Sequence, residues 1–388
     1  MAVANNPYPQ DVRVRQEAKT LTAIGFDVTV IAPKSTGQPT HECLEGIRVV
    51  RYALPPSVGG PLGYAVEFTY VTAATMALLT WIWLRSGLDV IHLHNPPDTL
   101  VFATVLPRLM GKLVVFDHHD LAPELYAAKY ERTRRWIERL LRWLERLSCR
   151  WADAVITVNE SYRRSDIERH GLEPERVIVV RNGPPLDRLA PVEPDPSVRR
   201  RAQFVVGYLG HIAKQDGVDH LLEALDQLES AYGISSWHAV VIGPADDADG
   251  LERLAEELGI AAKVEFTGFQ PEPVWRAMLA ATDVCVVPDP PNALNEQSTM
   301  IKIMDYMALG RPIVAYDLAE HRVSAADAAL YAPAGDRVAL AEAIVRLLRD
   351  PALRGRMGAI GRQRIEQSLA WEFSAQQLAR LYTTLGAR

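Results

Sequence analysis

The chain has few cysteines and no excess of basic residues, and each of these two features excludes a class of site or partner. Its 388 residues include three cysteines, Cys43, Cys149 and Cys285, which lie far apart and show no CxxC or Cys/His spacing. This argues against a disulfide framework or a zinc site and indicates a reducing cytoplasm. With a net charge of −6, the chain lacks the basic excess that follows a nucleic-acid backbone, so we expect no nucleic-acid partner.

A signal peptide and long apolar runs are also scarce. Residues 1–6 carry neither a charged leader region nor an apolar segment, so we expect no signal peptide. One stretch, residues 68–84, has 17 residues without a charge, which is the lower limit for a membrane span. Because threonines dilute it and Glu67 and Arg85 bracket it, we predict a core or interface helix, with a membrane span as the alternative.

What the chain does have is a regular alternation of short apolar runs and amphipathic stretches, which predicts an α/β fold with parallel sheets. In the first half the predicted strands are 28–32, 90–93, 113–116, 154–158 and 177–180, and the predicted helices are 12–24, 61–83, 99–110, 133–151 and 161–170. In the second half the predicted strands are 205–210, 238–243, 264–268, 283–288 and 312–316, and the predicted helices are 219–231, 249–258, 272–281, 299–309, 337–349, 351–368 and 372–385.

A proline-rich segment separates two such series and predicts two domains. Residues 182–201 contain five prolines, which is typical of an interdomain linker. We therefore assign residues 1–190 to one Rossmann-like domain and 191–368 to a second, with 369–388 forming a last helix that crosses back to the first. Residues 1–4 supply only a stub of a first strand, which is either short or trimmed. Ligands are expected in the cleft, beyond the carboxyl ends of the strands.

Residues 292–315 combine features that suit a nucleoside diphosphate. Ser298 is predicted to cap the helix that follows, and helical spacing places Ser298, Lys302 and Asp305 on one face. Helix amides and Lys302 suit the phosphates, and Asp305 suits the ribose hydroxyls. The alternative is an ordinary amphipathic helix with a solvated lysine and aspartate.

The end of this segment resembles a known element. DYMALGRPIVA (305–315) is similar to the E-A-M-A-x-G-x-P-V-V-A element of retaining glycosyltransferases of family 4, and other similar segments follow the family's order along the chain. They are residues 11–18, 89–98, 116–125, 179–184, 206–210 and 217–224. The resemblance implies the GT-B fold, in which two Rossmann-like parallel-sheet domains face a central cleft, with acceptor binding in residues 1–190 and nucleotide-sugar binding in 191–368.

The resemblance also implies a reaction. A sugar would move, with retention at its anomeric carbon, from a UDP- or GDP-linked donor to a glycan or lipid-linked saccharide in bacterial polysaccharide biosynthesis. No cofactor or metal is expected, so positive side chains and helix amides must neutralise the departing diphosphate. The DxD formed by Asp247 and Asp249 is interpreted as a capping turn. Two rivals remain open: a nucleotide-sugar epimerase or phosphorylase of the same fold, and a non-catalytic sugar-nucleotide-binding partner subunit.

Several positions depart from the family pattern. Gln297 and Asp305 stand where the family has two glutamates, and Ser298, Thr299 and Met300 replace its Gly-Phe-Gly. His211 and Asp216 replace an arginine and a lysine that serve the diphosphate in many members. The resemblance then shifts that role to Lys302, Lys214 and the backbone near Gly210, and leaves open whether the changes alter donor preference or activity.

These arguments predict three groups of site residues. The catalytic group is His119, Lys302 and Asp305. The donor-binding group is Gly210, His211, Lys214, Gln215, Phe269, Asn295, Glu296, Gln297, Ser298, Thr299, Lys302 and Asp305. The acceptor-binding group is Asp11, Arg13, Arg15, Asn95, His119 and Glu124. For His119 the family's D-x-H-D element implies contact with the transferred sugar, while a structural histidine is the alternative. Turn chemistry is the alternative for Asn95, as is a solvated helix start for Asp11, Arg13 and Arg15.

One stretch, residues 129–150, is strongly basic, with eight basic and three acidic residues. Trp136 and Trp143 lie among its arginines, a combination that favours contact with anionic lipid headgroups. We therefore expect a cytoplasmic protein and hypothesise that it contacts the inner face of the cell membrane peripherally. The alternative is a solvated face on which Glu138 and Glu145 pair locally. The predicted core stripe of this helix is Ile137, Leu140, Leu141, Leu144, Leu147 and Trp151.

Overall fold

The computed structural model describes residues 1–55, 60–130 and 133–386. Arg132, which belongs to the predicted basic stretch, lies outside the described residues. The chain divides into two compact units. Unit 1 comprises Met1–Asn182 with Glu372–Arg388, and unit 2 comprises Gly183–Trp371. The first division lies within the proline-rich segment, and the second lies at the start of the last helix.

Unit 1 is an α/β unit built mainly on parallel strands. Its strands are β1 (Thr29–Pro33), β2 (His41–Leu44), β3 (Ile47–Tyr52), β4 (Val90–His94), β5 (Leu113–His118), β6 (Ala154–Thr157) and β7 (Val177–Val179). Its helices are α1 (Val12–Ala23), α2 (Gly60–Ser86), α3 (Val105–Leu109), α4 (Ala122–Lys129), α5 (Arg135–Trp151) and α6 (Glu160–His170). The order β4-β5-β6-β7 is parallel throughout, and a second group has the order β1-β3-β2.

The stub at the start of the chain lies between these two groups of strands. Ala2 forms parallel bridges with Ile31 of β1 and Leu93 of β4. Its amide donates to the His92 carbonyl at 2.8 Å, and its carbonyl accepts from the His94 amide at 3.0 Å. A single residue therefore links the two groups of strands.

Sequence patterning missed one hairpin and misassigned one helix in unit 1. β2 and β3 pair antiparallel across Glu45 and Gly46, which both have positive φ, as a tight hairpin turn requires. The sequence pattern did not indicate the hairpin, because β2 has polar, exposed side chains in place of an apolar run. The predicted helix 99–110 is a 3₁₀ turn over Asp98–Thr104 followed by α3, because Pro107 limits the α-helix to five residues.

The long apolar helix α2, which was predicted to be a core or interface helix, buries one narrow stripe and exposes much of its apolar surface. Val71, Thr75, Leu79 and Ile82 form its buried stripe, at helical spacing. By length and composition alone, Gly63–Ser86 is apolar enough to cross a membrane, and only 17% of the apolar 18-residue window within it is buried. Its exposed apolar side chains include Tyr64, Val66, Tyr70, Met76, Trp81 and Leu84. Local composition was a poor guide to burial here because it cannot report which face packs.

Unit 2 is built on one six-stranded parallel sheet with the order β10-β9-β8-β11-β12-β13. Its strands are β8 (Phe204–Leu209), β9 (Trp237–Ile242), β10 (Val264–Gly268), β11 (Val284–Val287), β12 (Ile313–Tyr316) and β13 (Ala329–Ala332). Its helices are α7 (Pro196–Arg199), α8 (Val218–Ser230), α9 (Ala248–Glu257), α10 (Glu272–Ala280), α11 (Ile301–Ala308), α12 (Ala319–Ala325), α13 (Arg337–Arg349) and α14 (Pro351–Arg364). The last helix, α15 (Trp371–Thr384), begins at the boundary and continues into unit 1. The short, alanine-rich β13 was missed by patterning.

Candidate functional site

Three neighbouring strands of unit 2 end at glycines that bring their backbones close together. Gly210, Gly243 and Gly268 lie at the carboxyl ends of β8, β9 and β10. The Gly243 amide donates to the Gly268 carbonyl at 3.0 Å, and a Cβ on Gly243 would lie 1.8 Å from the Gly210 oxygen. Because Gly243 also has a φ of +135°, only glycine fits there.

Beside this glycine edge lies a buried lysine. Lys302 of α11 is 7% exposed, and its Nζ donates to Asp289 Oδ1 at 3.0 Å, to Tyr208 Oη at 3.1 Å and to Asp216 Oδ1 at 3.4 Å. Its Cε would lie 3.3 Å from a Cβ on Gly210. Burial opposes the positive charge, but the two carboxylates outweigh it and hold the pKa of Lys302 well above its usual value. The lysine is therefore charged next to the strand ends.

Asp305 lies one turn further along α11 and is also buried. Its Oδ1 accepts from Arg188 Nη1 at 3.2 Å, and Arg188 Nε also pairs with Glu272 at 2.8 Å. Burial raises the pKa of the Asp305 carboxyl to about 6, despite the nearby arginine. Both side chains are therefore buried, which excludes the alternative of a solvated lysine and aspartate on α11.

Ser298 is not the helix cap that we predicted. The N-cap position of α11 is Met300, and it has no side-chain capping hydrogen bond. Ser298 Oγ instead donates to the Leu294 carbonyl at 2.8 Å. The preceding residues form turns that end the polar segment before the helix begins, so the helix starts two residues later than the pattern indicated.

The turns before α11 connect several predicted donor residues to neighbouring loops. Asn295 Nδ2 donates to the Gln215 carbonyl at 2.9 Å, which brings these two residues together. Glu296 Oε2 accepts from the Ala319 amide at 3.3 Å, Thr299 Oγ1 donates to Glu320 Oε2 at 3.3 Å, and Gln297 Nε2 donates to the Ala293 carbonyl at 3.0 Å.

The remaining predicted donor residues lie on exposed loops. His211 Nε2 lies 2.8 Å from Asp246 Oδ1, Lys214 is exposed, and the Phe269 side chain is 77% exposed. Asp247 caps α9 by accepting from the Gly250 amide at 3.0 Å, which confirms the capping interpretation of the DxD sequence.

Two residues at the centre of this site were missed by sequence reasoning. Asp289 directly follows β11 and is the nearest carboxylate to Lys302, and Tyr208 lies within β8 with Lys302 Nζ 4.7 Å from its ring centre. Ligand-binding residues gather at the carboxyl ends of parallel strands. Asp289 could therefore have been found from its place after the VCVV run, whereas Tyr208 carried no such signal.

In unit 1 the predicted acceptor residue Arg13 is buried in an internal network. Its guanidinium donates to both oxygens of Asp117, at 2.6 and 2.8 Å, and to Asn182 Oδ1 at 2.6 Å. Burial opposes ionisation of Asp117, but Arg13 holds the pKa of that carboxyl well below its usual value. The donors of Arg13 are thus directed into unit 1 itself.

The other two charged residues that were predicted with Arg13, Asp11 and Arg15, do not take part in its hydrogen-bond network. Asp11 is the N-cap of α1 and accepts from the Val14 amide at 3.0 Å. Arg15 is exposed and lies 3.6 Å from Glu45. The structure therefore gives this predicted group three separate environments, because alternating positions on α1 face the core, the cap and the solvent.

His119 and Asn95, by contrast, are brought together at the ends of β4 and β5. Asn95 Oδ1 accepts from the amides of His119 and Asp120 at 3.0 and 3.1 Å, so the buried asparagine shapes the loop. The His119 ring is partly buried, and its Nδ1 lies 3.6 Å from Asp117 Oδ1. Burial lowers the pKa of His119, but Asp117 more than compensates and raises it. Glu124 is separate and pairs with Arg169 at 2.6 Å.

Helix α5 departs from its predicted core stripe at one position. Leu140, expected in the core, is 44% exposed. Glu145, which the alternative of a solvated face had pairing locally, is 1% exposed and lies 2.9 Å from His170 Nε2. Trp136 and Trp143 are 59% and 54% exposed. Which face of α5 is buried therefore depends on ion-pair partners on α6. The apolar pattern of α5 alone does not indicate those partners.

Comparisons with known proteins agree with this architecture. Residues 10–183 match a family model described as a glycosyl transferase 4-like domain, and residues 203–350 match one described as glycosyl transferases group 1. A phosphatidyl-myo-inositol mannosyltransferase of Mycobacterium leprae is 26% identical over 390 residues, covering 98% of this chain and 95% of that protein.

Two solved structures share the fold. The sucrose-phosphate synthase of Thermosynechococcus elongatus has a TM-score of 0.79 at 22% identity, over 97% of this chain and 94% of that one. The Anabaena protein HepE in complex with UDP-glucose has a TM-score of 0.71 at 17% identity, over 99% of this chain and 100% of that one.

Proposed function

Because this chain belongs to the group 1 glycosyltransferases and carries a glycosyl transferase 4-like domain in its first half, we propose that it transfers a sugar from a nucleotide-sugar donor with retention at the anomeric carbon. The predicted GT-B fold class is confirmed, and the protein is a glycosyltransferase. The donor is UDP- or GDP-linked, the acceptor is a glycan or lipid-linked saccharide, and no metal ion bridges the diphosphate.

The buried, charged Lys302 beside Gly210 carries this proposal. A departing nucleoside diphosphate develops negative charge that must be neutralised, and Lys302 is a preorganised cation at a strand-end edge. The contact with Asp216, at 3.4 Å, is the longest of the hydrogen bonds that its Nζ makes with Asp289, Tyr208 and Asp216. We therefore assign to donor binding an exchange in which Lys302 keeps Asp289 and shares its charge with the diphosphate in place of Asp216. HepE binds UDP-glucose on the same fold, which supports a donor of this class.

In unit 1 we assign to His119 a contact with the transferred sugar. Its amide is held by Asn95 and its ring lies near ionised Asp117, so its orientation is set before a ligand arrives. Asp305 serves the donor ribose from unit 2, where its carboxylate accepts hydrogen bonds from the two hydroxyls.

A ligand screen followed by turnover tests the transferase proposal. A donor that binds the native state raises its melting temperature by mass action, so UDP-, GDP- and ADP-sugars are compared by thermal shift. With the best donor, Lys302→Ala should lower sugar transfer by about 10²–10³-fold. Lys263→Ala, which removes a half-buried lysine of the same unit that pairs with Glu229, should not.

Four outcomes would contradict the proposal. The transferase function fails if a bound donor is never turned over with any acceptor, and free epimerised nucleotide sugar formed without acceptor would favour an epimerase. Inversion seen by NMR of the product's anomeric proton would overturn retention, and activation by added Mg²⁺ would overturn metal independence at the diphosphate.

We also propose that unit 1 docks on an anionic membrane surface. The outer side of α5 exposes Trp136, Leu140 and Trp143 among arginines. α2 and α5 both pack on the Asp98–Thr104 turn, through Thr72 with Thr99 at 2.9 Å and Ser148 with the Asp98 carbonyl at 2.9 Å. Two helices that meet at one turn of unit 1 therefore expose apolar side chains on α2 and arginines with tryptophans on α5, a combination suited to anionic headgroups.

Vesicle flotation tests this surface. Wild-type protein should float with vesicles that contain phosphatidylglycerol and remain unbound with neutral ones. The triple variant Arg135→Glu, Arg139→Glu, Arg142→Glu should lose flotation, whereas the matched reversal Arg199→Glu, Arg253→Glu, Arg356→Glu in unit 2 should keep it. Equal recovery of the two variants would overturn the proposal.

A further inference from the structure

A second buried polar group lies in the core of unit 1, next to Asp117, which separates it from His119. His92 and His94 are two residues apart on β4, so their side chains share one face of the sheet, and their rings stack with centres 4.4 Å apart. Glu17 reaches them from the buried face of α1. All three side chains are inaccessible to solvent, so whatever satisfies them must lie inside the protein.

Their polar atoms converge without hydrogen-bonding one another. The Nε2 atoms of His92 and His94 lie 3.5 and 3.7 Å from Glu17 Oε2. Within the described part of the chain, both Nε2 atoms and both Glu17 oxygens have no hydrogen-bond partner, and Arg13 Nη2 forms an ion pair with Glu17 Oε1 at 3.3 Å. Each buried polar atom without a hydrogen bond costs about 1–3 kcal/mol of folding free energy. Several such atoms at one place therefore destabilise the folded state considerably.

The spacing discriminates between a bridging water and a metal ion. Around a water that makes hydrogen bonds of about 2.8 Å, tetrahedral partners are separated by about 4.6 Å. Around Zn²⁺, with ligand distances of about 2.0–2.2 Å, the separation is about 3.3–3.6 Å. The observed 3.5 and 3.7 Å match the ion.

The opposite nitrogen of each imidazole faces a possible acceptor outside the group. His92 Nδ1 lies 2.9 Å from the Tyr382 hydroxyl, in a hydrogen bond whose direction depends on the tautomer, and His94 Nδ1 lies 3.0 Å from Asp117 Oδ2. Metal binding at Nε2 requires the tautomer that carries its hydrogen on Nδ1, and the Tyr382 and Asp117 oxygens are placed to accept that hydrogen, as second-layer groups do for metal-ligating histidines.

The charges also leave room for a cation. Glu17 and Asp117 are two carboxylates that face one guanidinium, that of Arg13, and their ligand atoms lie within 4.8 Å of those of both histidines. We propose that Glu17, His92 and His94 bind one divalent transition-metal ion of the zinc class, which joins α1 to β4. Two imidazoles and a carboxylate are a donor set that zinc accepts.

The proposed ion has no step in the transfer reaction, and its three ligands are not among the residues assigned to the donor or to the transferred sugar. The cysteine-based search of the sequence could not find it. Its ligands come from a His-x-His strand and from a helix far upstream, and only the fold of unit 1 brings them together.

Metal content tests the proposal directly. The full chain is prepared without a histidine tag from zinc-supplemented cells, dialysed, and analysed by inductively coupled plasma mass spectrometry. We expect about one zinc per chain, since metal bound by a folded core is retained. Less than about one tenth of an equivalent in protein that circular dichroism shows to be folded would overturn the proposal.

Matched variants locate the ion. Glu17→Gln preserves side-chain size and removes the ligand charge, so its zinc content should fall at least about tenfold. Asp166→Asn alters a separate buried group, in which His118 Nδ1 lies 2.9 Å from Asp166, and should retain zinc. The reverse result would place the ion at the second group and overturn the assignment. If Glu17→Gln fails to fold, the wild type and Asp166→Asn still decide.

Cobalt substitution provides a spectroscopic check. Co²⁺ bound by Glu17, His92 and His94 should show visible d–d bands without a near-ultraviolet thiolate charge-transfer band. The second group includes Cys149 beside His118 and Asp166, so binding there would produce such a band. A thiolate band in the wild type would therefore overturn the proposal.

Discussion

Arg13 in unit 1 and Lys302 in unit 2 are both buried cations held by carboxylates near strand ends, yet they serve different ends. The Arg13 guanidinium donates from Nε and Nη2 to the two carboxylate oxygens of Asp117. This bidentate geometry fixes the orientation of both side chains. Lys302 meets Asp289 and Asp216 as a point charge, beside backbone that glycines keep uncovered. The comparison teaches that a closed ion pair stabilises a unit, whereas a lysine with a long, exchangeable contact is suited to a ligand.

Removing the closed pair should have the largest effect. Arg13→Met leaves Asp117 buried without its partner, which costs about 3–5 kcal/mol. Hydrogen exchange of β5 peptides, read by mass spectrometry, measures this loss within unit 1. Arg15→Met is the control, because Arg15 is exposed and pairs only loosely with Glu45. Equal protection in the two variants would show that the Arg13 network does not stabilise unit 1.

The second-largest effect is expected when a side chain is added at the glycine edge of unit 2. Gly243→Ala places a Cβ against the Gly210 oxygen at a φ that side chains avoid, so we expect a loss of about 3 kcal/mol, together with weaker donor binding. Gly233→Ala, where φ is +69° and no atom lies within 4 Å, should cost about 1 kcal/mol. Exchange of β8 and β9 peptides compares them, and similar losses would mean that the close approach is not required.

The buried carboxyl of Asp305 should make the stability of unit 2 depend on pH. Its pKa is raised to about 6 in the folded state, so the folded state holds the proton longer than the unfolded chain, and stability from this group falls as pH rises from about 4 to 6. Asp305→Asn should therefore be about 1–2 kcal/mol more stable than wild type at pH 7, with little difference at pH 4. A pH-independent difference in unfolding midpoint would contradict this.

The smallest predicted effect concerns the exchangeable contact of Lys302. Asp216→Asn removes one of the two charges that compete with a diphosphate, so donor affinity should rise about three- to tenfold. Isothermal titration with the donor found by thermal shift measures it. Asp219→Asn, in the first turn of α8, is the control for a nearby loss of charge. Unchanged or weaker binding in Asp216→Asn would show that Lys302 does not release this partner.

Much of the fold could be predicted from periodicity, because strands buried on both faces and helices with one apolar stripe leave local patterns. Strand 264–268 was predicted with the observed bounds. The hairpin β2-β3, the 3₁₀ turn and the exposed face of α2 were not predicted, since each depends on what packs against the segment rather than on its composition.

The candidate site divides in the same way. Lys302 and Asp305 were found because helical spacing and a family resemblance both point to them. Asp289, Asp117 and Glu17 were missed, because each acquires its meaning from a partner far away in the chain. Ser298 was misassigned as a cap because the turn before α11 continues to Met300.

The sequence by itself determined the α/β class, the alternation of strands and helices, the family and the lysine that we assign to the donor, since all of these are written in local order and spacing. The tertiary structure alone decided which charged side chains are paired with one another inside the protein. Arg13 pairs with both carboxylate oxygens of Asp117, Lys302 is held by Asp289 and Asp216, and Glu17, His92 and His94 are gathered into one buried group. The physical reason is that Coulomb and hydrogen-bond energies depend on distance and burial, which a linear chain does not specify.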